Sequence, residues 1–213
     1  MSRMRVVVVD YGMGNLRSVA KAAEHVAPEA QIVVSGDPAE VARADRVIVP
    51  GQGAMHDCMR EFLARGLHDE VLRAAESKPF LGICVGMQML FDHSEEGDTR
   101  GLGILSGKVV RFRDGMMGDD GVALKVPHMG WNNIQPAASH PLWDGIEQDE
   151  RFYFVHSYYC VPDKVADTAA QTQYGAPFTC AVARDNIVAV QFHPEKSAKA
   201  GLQLLANFMN WRP

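Results

Sequence analysis

The stretch that decides the fold is Pro79–Gln88, PFLGICVGMQ. It begins as a short apolar run and then places Cys84 between two glycines in the pattern Gly-x-Cys-x-Gly. This pattern is typical of a tight turn from a strand into an amphipathic helix, where side chains at Gly82 and Gly86 would not fit and the sulfur points outward. A helix N-terminus at that point favours the thiolate. A buried cysteine in a core strand is the alternative interpretation.

Strands and helices alternate in the first half of the chain. The consecutive valines of Val6–Val9 are typical of a strand that is buried on both faces, as in a parallel sheet. Further strands are predicted at Gln31–Val34, Arg46–Val49 and Phe80–Cys84, and helices at Leu16–Val26, Met55–Arg65 and His68–Glu76. The alternation predicts an α/β fold: a doubly wound, mostly parallel sheet flanked by helices, with the functional site at the carboxyl ends of the strands.

The second half predicts an additional antiparallel strand region. Strand-like runs cover Lys108–Phe112, Phe152–Cys160 and Phe178–Val190, and Asp185-Asn186 divides the last of them as a hairpin tip. Ser197–Trp211 is expected to form a closing amphipathic helix, and residues 114–121 a surface loop. Because 213 residues suffice for one core and no linker is visible, we expect one domain, 1–213.

Composition argues against several classes of protein. A formal net charge of −5 is unfavourable for a general binder of nucleic acid. Four cysteines without a paired framework fit a reducing cytoplasm. We expect neither a signal peptide nor a membrane span, because no apolar run approaches the required ~20 residues. The expectation is a cytoplasmic protein that uses no nucleic acid, membrane, metal or cofactor.

A candidate partner for Cys84 lies far downstream, in the segment Ala189–Lys196, AVQFHPEK. An imidazole at His193 would take the thiol proton and later return it to the leaving group. Glu195 would orient the ring and stabilise its charge. The intervening proline predicts extended backbone, which points both side chains to one face. No second ligand cluster supports a metal site, and a solvated loop histidine is the other alternative.

These two segments together resemble the class I (triad) glutamine amidotransferases. Three further segments are similar to one family among them, the glutaminase subunits of imidazole glycerol phosphate synthases: residues 10–19 (DYGMGNLRSV), 127–132 (PHMGWN) and 154–158 (FVHSY). The similarity runs from the first strand to the last helix. It implies the class I amidotransferase fold and hydrolysis of glutamine to glutamate and ammonia through a thioester on Cys84.

The resemblance also implies an oxyanion hole. The N–H of Val85, directly after the nucleophile, is one geometric candidate for a donor. The family takes its second donor from the segment equivalent to Pro50–Gly53, which would be the Gln52 N–H here. Gly51 and Gly53 allow a peptide of this segment to rotate, and both are expected at the substrate site. An ordinary strand-ending turn is the alternative interpretation.

Substrate contacts follow from the resemblance and from spacing. Gln88 lies one turn after Cys84, so its side chain can face the same pocket. Glu96 matches the position that holds the α-amino group of glutamine in the family, although adjacent Glu95 could be confused with it and both could be solvated. Ser157 and Tyr158 resemble backbone contacts to the substrate.

The chain carries no phosphate loop and is too short to include a (β/α)8 barrel. The resemblance implies a separate barrel cyclase subunit that forms a heterodimer with this chain and receives ammonia through an internal channel. The products would be imidazole glycerol phosphate and aminoimidazole carboxamide ribotide. Asn15, Trp131 and Lys196 match positions that face the barrel, and an exposed tryptophan beside a lysine suits an interface. The alternatives are a helix cap, a core aromatic and a surface lysine.

Other functions remain open at this point. The glutaminase could serve another acceptor, as in anthranilate or pyridoxal-phosphate synthase, but the DYGMGN start disfavours this. The chain could be a catalytically dead scaffold, which the intact Cys84, His193 and Glu195 argue against. A cysteine peptidase of related fold fits the Gln88 position and the His-Pro-Glu motif less well.

Overall fold

The computed structural model describes residues 3–118 and 121–213, which form two sheets and six α-helices. The strands are β1 (Arg5–Val9), β2 (Gln31–Ser35), β3 (Arg46–Gly51), β4 (Phe80–Cys84), β5 (Phe91–Ser94), β6 (Thr99–Arg100), β7 (Leu105–Arg111), β8 (His128–Asn133), β9 (Gln135–Pro136), β10 (Arg151–His156), β11 (Tyr158–Pro162), β12 (Thr168–Tyr174), β13 (Ala176–Arg184) and β14 (Ile187–Val190). The helices are α1 (Leu16–Val26), α2 (Pro38–Ala42), α3 (Met55–Ala64), α4 (His68–Ser77), α5 (Val85–Gln88) and α6 (Ala198–Asn210).

The larger sheet has a parallel half and a mostly antiparallel half. Strands β2-β1-β3-β4-β14 are neighbours in that order and all run parallel. The sheet then continues through β13, β11, β7, β5 and β6, in which only the β5–β7 pair is parallel. Strands β8 and β10 form a separate antiparallel ribbon. The predicted α/β fold, with a parallel centre and an additional antiparallel region, is confirmed.

The burial of individual residues explains why the strands and helices in the first half of the chain could be predicted from sequence. The valines of β1 are fully buried, as a parallel strand covered on both faces requires. Helix α1 buries a face of small residues and has the predicted bounds, Leu16–Val26. Helix α6 buries Leu204, Leu205 and Phe208 in the same core. These elements form one continuous apolar core with β4 at its centre.

Two sequence predictions about elements are wrong in extent. The run Phe152–Cys160 is two strands, because the extended backbone is interrupted at Ser157. Strand β10 pairs with β8, whereas β11 joins the large sheet beside β7. The helix after Cys84 is only the four residues of α5, since Phe91, which is buried, already belongs to strand β5. The apolar residues after Gln88 therefore line a turn and a strand instead of one face of a helix.

The predicted surface loop at 114–121 contains residues 119 and 120, which lie outside the described residues. Next to them, Met117 and Ala123 form an isolated antiparallel bridge. In the parts of the chain that the structure describes, none of the helices has both the length and the apolar character needed to cross a bilayer.

Candidate active site

The turn between β4 and α5 has the geometry of a nucleophile elbow. Cys84 adopts φ 56° and ψ −112°, a conformation that costs a non-glycine residue about 1–3 kcal/mol. A Cβ atom on Gly86 would collide with the Val49 carbonyl oxygen, and one on Gly82 would lie 2.8 Å from the Gly86 carbonyl oxygen. Both glycines are therefore required by the close approach of the backbone segments around Cys84.

A buried imidazole–carboxylate pair lies beyond the carboxyl end of the neighbouring strand β14. His193 Nδ1 lies 2.9 Å from Glu195 Oε1, and the side chains are only 2% and 1% exposed. Asn15 Nδ2 donates to the same oxygen at 3.3 Å. The backbone between them is not extended as predicted, because Pro194–Lys196 forms a 3₁₀ turn. The turn, rather than a strand, brings the ring and the carboxylate together.

Electrostatics at the site favour the charged imidazolium form of His193. Burial lowers the pKa of His193, but the Cys84 sulfur and the Glu195 carboxylate outweigh burial and raise it to about 10. His193 Nε2 is buried and has no hydrogen-bond partner among the described residues, so it is available to the cysteine or to a substrate. Because α5 has only four residues, its dipole is small, and His193 is the group at this site that can exchange a proton with Cys84.

A cavity of about 310 Å³ opens over Cys84. Nine of the residues predicted for the site line it: Gln52, Gly53, Cys84, Val85, Gln88, Glu96, Ser157, Tyr158 and His193. Three residues that were not predicted complete the lining: Pro127, Val155 and His156. The cavity size is at the lower end of the range for small-molecule sites.

The two adjacent glutamates point to different places. Glu96 lines the cavity, and its Oε2 accepts a hydrogen bond from the Met55 N–H at 2.8 Å. Its Oε1 has no partner in the described parts of the chain and is free to bind a cationic group. Glu95 instead accepts from the Arg111 N–H at 2.8 Å. The side chain of Glu95 is therefore occupied outside the cavity.

Gly51 is not part of the cavity lining, unlike the sequence prediction. It pairs in register with Cys84 at the end of β3. A Cβ atom at this position would lie 2.8 Å from Val85 Cβ. Gly51 therefore allows β3 to approach the elbow closely, and Gly53, at φ 98°, is the glycine of this segment that reaches the cavity.

Gln191, for which no role was predicted, is fully buried beside the nucleophile. Its Nε2 donates to Cys84 Sγ at 3.7 Å, and its Oε1 accepts from Gln88 Nε2 at 3.1 Å. Gln88 also donates to the Tyr158 carbonyl oxygen at 3.2 Å. A buried amide thus joins the elbow to the opposite cavity wall. The available signal was a polar residue at the end of an apolar strand, two positions before His193.

Two histidines in the family-like motifs form a second buried chain of hydrogen bonds. His156 Nδ1 donates to the Tyr158 carbonyl oxygen at 2.8 Å, so its Nε2 accepts from His128 Nδ1 at 3.0 Å. His128 Nε2 in turn accepts from Asn132 Nδ2 at 3.3 Å. Every ring nitrogen has a partner when both histidines are neutral. The chain ends on the same carbonyl that accepts from Gln88.

Two of the residues predicted to face a partner, Trp131 and Lys196, lie beside Tyr153. Trp131 is 44% exposed and packs edge-to-face on the Tyr153 ring, with centroids 6.1 Å apart. Lys196 is exposed, and its Nζ lies 6.0 Å from the centroid of that ring. Asn15 precedes α1 but makes no capping bond with its side chain. Trp131 is therefore not a core aromatic, and Asn15 occupies the N-cap position without capping the helix through its side chain.

No group of three or more His, Cys, Asp or Glu side chains within residues 3–118 and 121–213 is arranged to hold a metal ion. The polar groups around Cys84 are amides, a carboxylate and an imidazole, and their chemistry is that of acyl transfer: a nucleophile, a proton-transfer group and a group that orients it.

Comparison with known proteins agrees with this chemistry. Residues 7–211 match the family model for class I glutamine amidotransferases. The imidazole glycerol phosphate synthase subunit HisH of Aromatoleum aromaticum is 64% identical over 98% of this chain and 99% of its own length, and that of Neisseria meningitidis is 52% identical over 98% and 100%. A solved PurLQS structure from Thermotoga maritima shares the fold, with a TM-score of 0.73 at 19% identity over 99% of both chains. The chain therefore belongs to the class I glutamine amidotransferases and, within them, to the HisH family of imidazole glycerol phosphate synthase subunits.

Proposed function

We propose that Cys84, His193 and Glu195 hydrolyse the side-chain amide of glutamine and that the ammonia passes to a (β/α)8-barrel cyclase subunit. The observation that carries this proposal is the strained Cys84 elbow facing the buried His193–Glu195 pair across one cavity. A nucleophile, a proton-transfer group and its orienting carboxylate are the set that acyl transfer from an amide requires.

In the first half-reaction, the Cys84 thiolate attacks the Cδ carbon of the glutamine side chain. The carbonyl oxygen becomes an oxyanion, which the N–H groups of Val85 and Gln52 stabilise. His193 then gives its Nε2 proton to the amide nitrogen, the C–N bond breaks and ammonia leaves. The raised pKa of His193 means that the ring already holds this proton at neutral pH. The product is a thioester between Cys84 and the glutamyl group.

In the second half-reaction, water attacks the thioester carbon. The neutral His193 left by the first step takes a proton from that water. The C–S bond breaks, the thiolate returns, and glutamate leaves with the site restored. Glu195, hydrogen-bonded to Nδ1, keeps Nε2 facing the reacting atoms in both steps.

Substrate recognition rests on the charges of free glutamine. The free Oε1 of Glu96 suits the α-ammonium group, because the other oxygen is already held by the Met55 N–H. Backbone groups of Ser157 and Tyr158 on the opposite wall would contact the α-carboxylate end. An internal residue of a peptide substrate has no free α-ammonium group, which disfavours the peptidase alternative.

We further propose that residues 1–213 act as one domain of a cytoplasmic heterodimer. The continuous apolar core supports a single domain, and four free thiols suit a reducing compartment. The barrel would bind around Asn15, Trp131 and Lys196 and would convert ammonia and a phosphoribulosyl intermediate into imidazole glycerol phosphate and aminoimidazole carboxamide ribotide. The exposed Trp131, near Met129 at 63% exposure, supports an interface at this surface.

The partner would also control turnover through the oxyanion hole. The Gly51–Gln52 peptide would be a two-state element: its N–H would point away from the cavity in the free subunit and toward the substrate carbonyl when the barrel is bound with its own substrate. Losing one oxyanion donor changes the rate by about 10²–10³. We therefore expect weak glutaminase activity in the isolated chain and little effect of the barrel on glutamine affinity.

The test measures two activities of the complex with its barrel subunit. Cys84→Ala should abolish glutamate release from glutamine and leave synthesis from added ammonia intact, because the barrel performs the second reaction. Cys160→Ala, at another buried cysteine, is the matched control and should retain both activities. Glutamine hydrolysis by Cys84→Ala at the wild-type rate would refute the assignment of the nucleophile. Absence of hydrolysis in the wild-type complex would support a dead scaffold instead.

A further inference from the structure

The N-terminal loop, residues 10–15, packs directly on the segment Pro50–Gly53 that the proposed mechanism uses for the oxyanion. A Cβ atom on Gly14 would lie 3.6 Å from the Gly51 nitrogen, and one on Gly53 would lie 3.0 Å from Met13 Cε. The motif DYGMGN therefore supports the back of the oxyanion segment, and the proposed mechanism does not include this role.

Tyr11 makes the strongest contact in this packing. Its side chain is fully buried, and its Oη donates to the Pro50 carbonyl oxygen at 2.6 Å. Burial raises the pKa of Tyr11 well above its ordinary value, so the hydroxyl keeps its proton and remains a donor. The ring packs edge-to-face on Phe62 of α3, with centroids 5.7 Å apart. The contact with Phe62 thus holds the Tyr11 ring in place, and the hydroxyl fixes the Pro50–Gly51 peptide.

Cys58 makes a similar contact further along the segment, at the Gln52 carbonyl oxygen. It is buried in α3, and its Sγ donates to the Gln52 carbonyl oxygen at 3.5 Å. Burial raises the pKa of Cys58 to about 11, so it is a thiol with a proton to donate. A thiol is a weak donor, and this contact is weaker than that of Tyr11. It nevertheless fixes the carbonyl of the Gln52–Gly53 peptide.

We propose that Tyr11 and Cys58 are positioning residues that hold the carbonyl groups on both sides of the Gly51–Gln52 peptide. With Pro50 O and Gln52 O held, rotation is confined to the single peptide that carries the Gln52 N–H. The donor then reaches one defined orientation toward the substrate instead of a range of orientations. This inference rests on the proposed function of Gln52 as an oxyanion donor.

The experiment replaces Tyr11 by Phe in the complete complex with the barrel and its substrate. We expect kcat for glutamine hydrolysis to fall about tenfold, the effect of one well-formed hydrogen bond, while KM for glutamine stays within twofold. The rate of Cys84 alkylation by iodoacetamide should also stay within twofold, because alkylation at sulfur forms no oxyanion. A purely structural role of Tyr11 would lower both rates together.

Tyr174→Phe is the matched control. Its Oη also donates to a backbone carbonyl, that of Lys125, at 2.6 Å, but outside the oxyanion segment. This variant should retain wild-type kcat. Equal kcat values for Tyr11→Phe and Tyr174→Phe would overturn the proposal, and so would a parallel loss of turnover and Cys84 alkylation.

A second pair of variants decides the matter if Tyr11→Phe does not fold. Cys58→Ser keeps a proton donor toward Gln52 O, whereas Cys58→Ala removes it. The alanine variant should lose about threefold in kcat relative to the serine variant at unchanged KM. Equal kcat values would overturn the proposal. A wild-type complex without Cys84-dependent hydrolysis would instead mean that the proposed function itself had failed.

Discussion

Acidification should destabilise this fold through the buried pair His128 and His156. Burial lowers the pKa of His128 to about 4. Burial, with smaller contributions from His128 and His193, lowers the pKa of His156 to about 3. A further proton on His128 Nε2 would face the Asn132 amide donor, and one on His156 Nε2 would face the His128 Nδ1–H. Both rings therefore stay neutral in the folded chain well below the pH at which they charge in the unfolded chain.

The size and sign of the effect follow from linkage. Between the ordinary pKa of 6.5 and the folded values of about 4 and about 3, the unfolded chain binds more protons than the folded one. The stability that this pair contributes is therefore complete above pH 6.5 and is lost as pH falls through that range. Each pKa unit corresponds to about 1.4 kcal/mol, so each histidine costs about 2 kcal/mol at pH 5. Together they remove about 4 kcal/mol, a large part of the stability of an ordinary domain.

The assay is urea unfolding at pH 7 and pH 5 for the wild type and for His128→Gln. Glutamine keeps a donor toward His156 and does not titrate, so the loss of stability between the two pH values should shrink by about 2 kcal/mol. Comparing the variant with the wild type removes the contribution of all other titrating groups. His25→Gln, on the exposed side of α1, is the control. An unchanged loss in His128→Gln would refute the neutral pair.

Substitutions at the elbow and the triad separate backbone geometry from chemistry. Gly86→Ala should prevent the elbow from forming, because its Cβ would meet the Val49 carbonyl oxygen; we expect a lower melting temperature and no glutamate release. Cys84→Gly should be at least as stable to urea as Cys84→Ala, although glycine ordinarily costs about 0.5–1 kcal/mol, because glycine relieves the strain at φ 56°; a clear deficit would argue against strain. His193→Ala should reduce turnover about 10- to 100-fold more than Glu195→Ala, since only the imidazole moves the proton; the reverse order in steady-state kinetics would contradict these roles.

The parts of the fold that could be predicted from sequence are those fixed by local pattern. The valines of β1 and the periodic face of α1 specify their own burial, and both elements appear where they were predicted. The residues after Gln88 show where local pattern fails. A short apolar run such as Met89–Phe91 fits a helix face as well as a buried strand. Its pairing with β7, across more than ten residues of chain, determines which structure forms.

The same limit applies to the site. Cys84 and His193 were predictable because glycine spacing and the His-Pro-Glu motif are local signals. The choice of Glu96 over Glu95 came from the family resemblance and not from a local pattern, because adjacent residues differ here only in side-chain direction. Gln191 and the pair His128–His156 were also missed, since each acts through a partner that is distant in sequence. Buried polar groups with long-range partners leave no periodic pattern for sequence analysis to detect.

The N-terminal loop connects the two halves of the proposed mechanism. Asn15 at its end donates to Glu195, and Tyr11 near its start donates to the Pro50 carbonyl oxygen. The carboxylate that orients His193 and the oxyanion segment are therefore both hydrogen-bonded to one loop of six residues, next to the surface where we place the partner. A displacement of this loop would change the orientation of His193 and the freedom of the Gln52 peptide together. If the partner acts through Asn15, Tyr11→Phe should reduce turnover in the complex more than in the free chain, because only the complex uses the ordered donor.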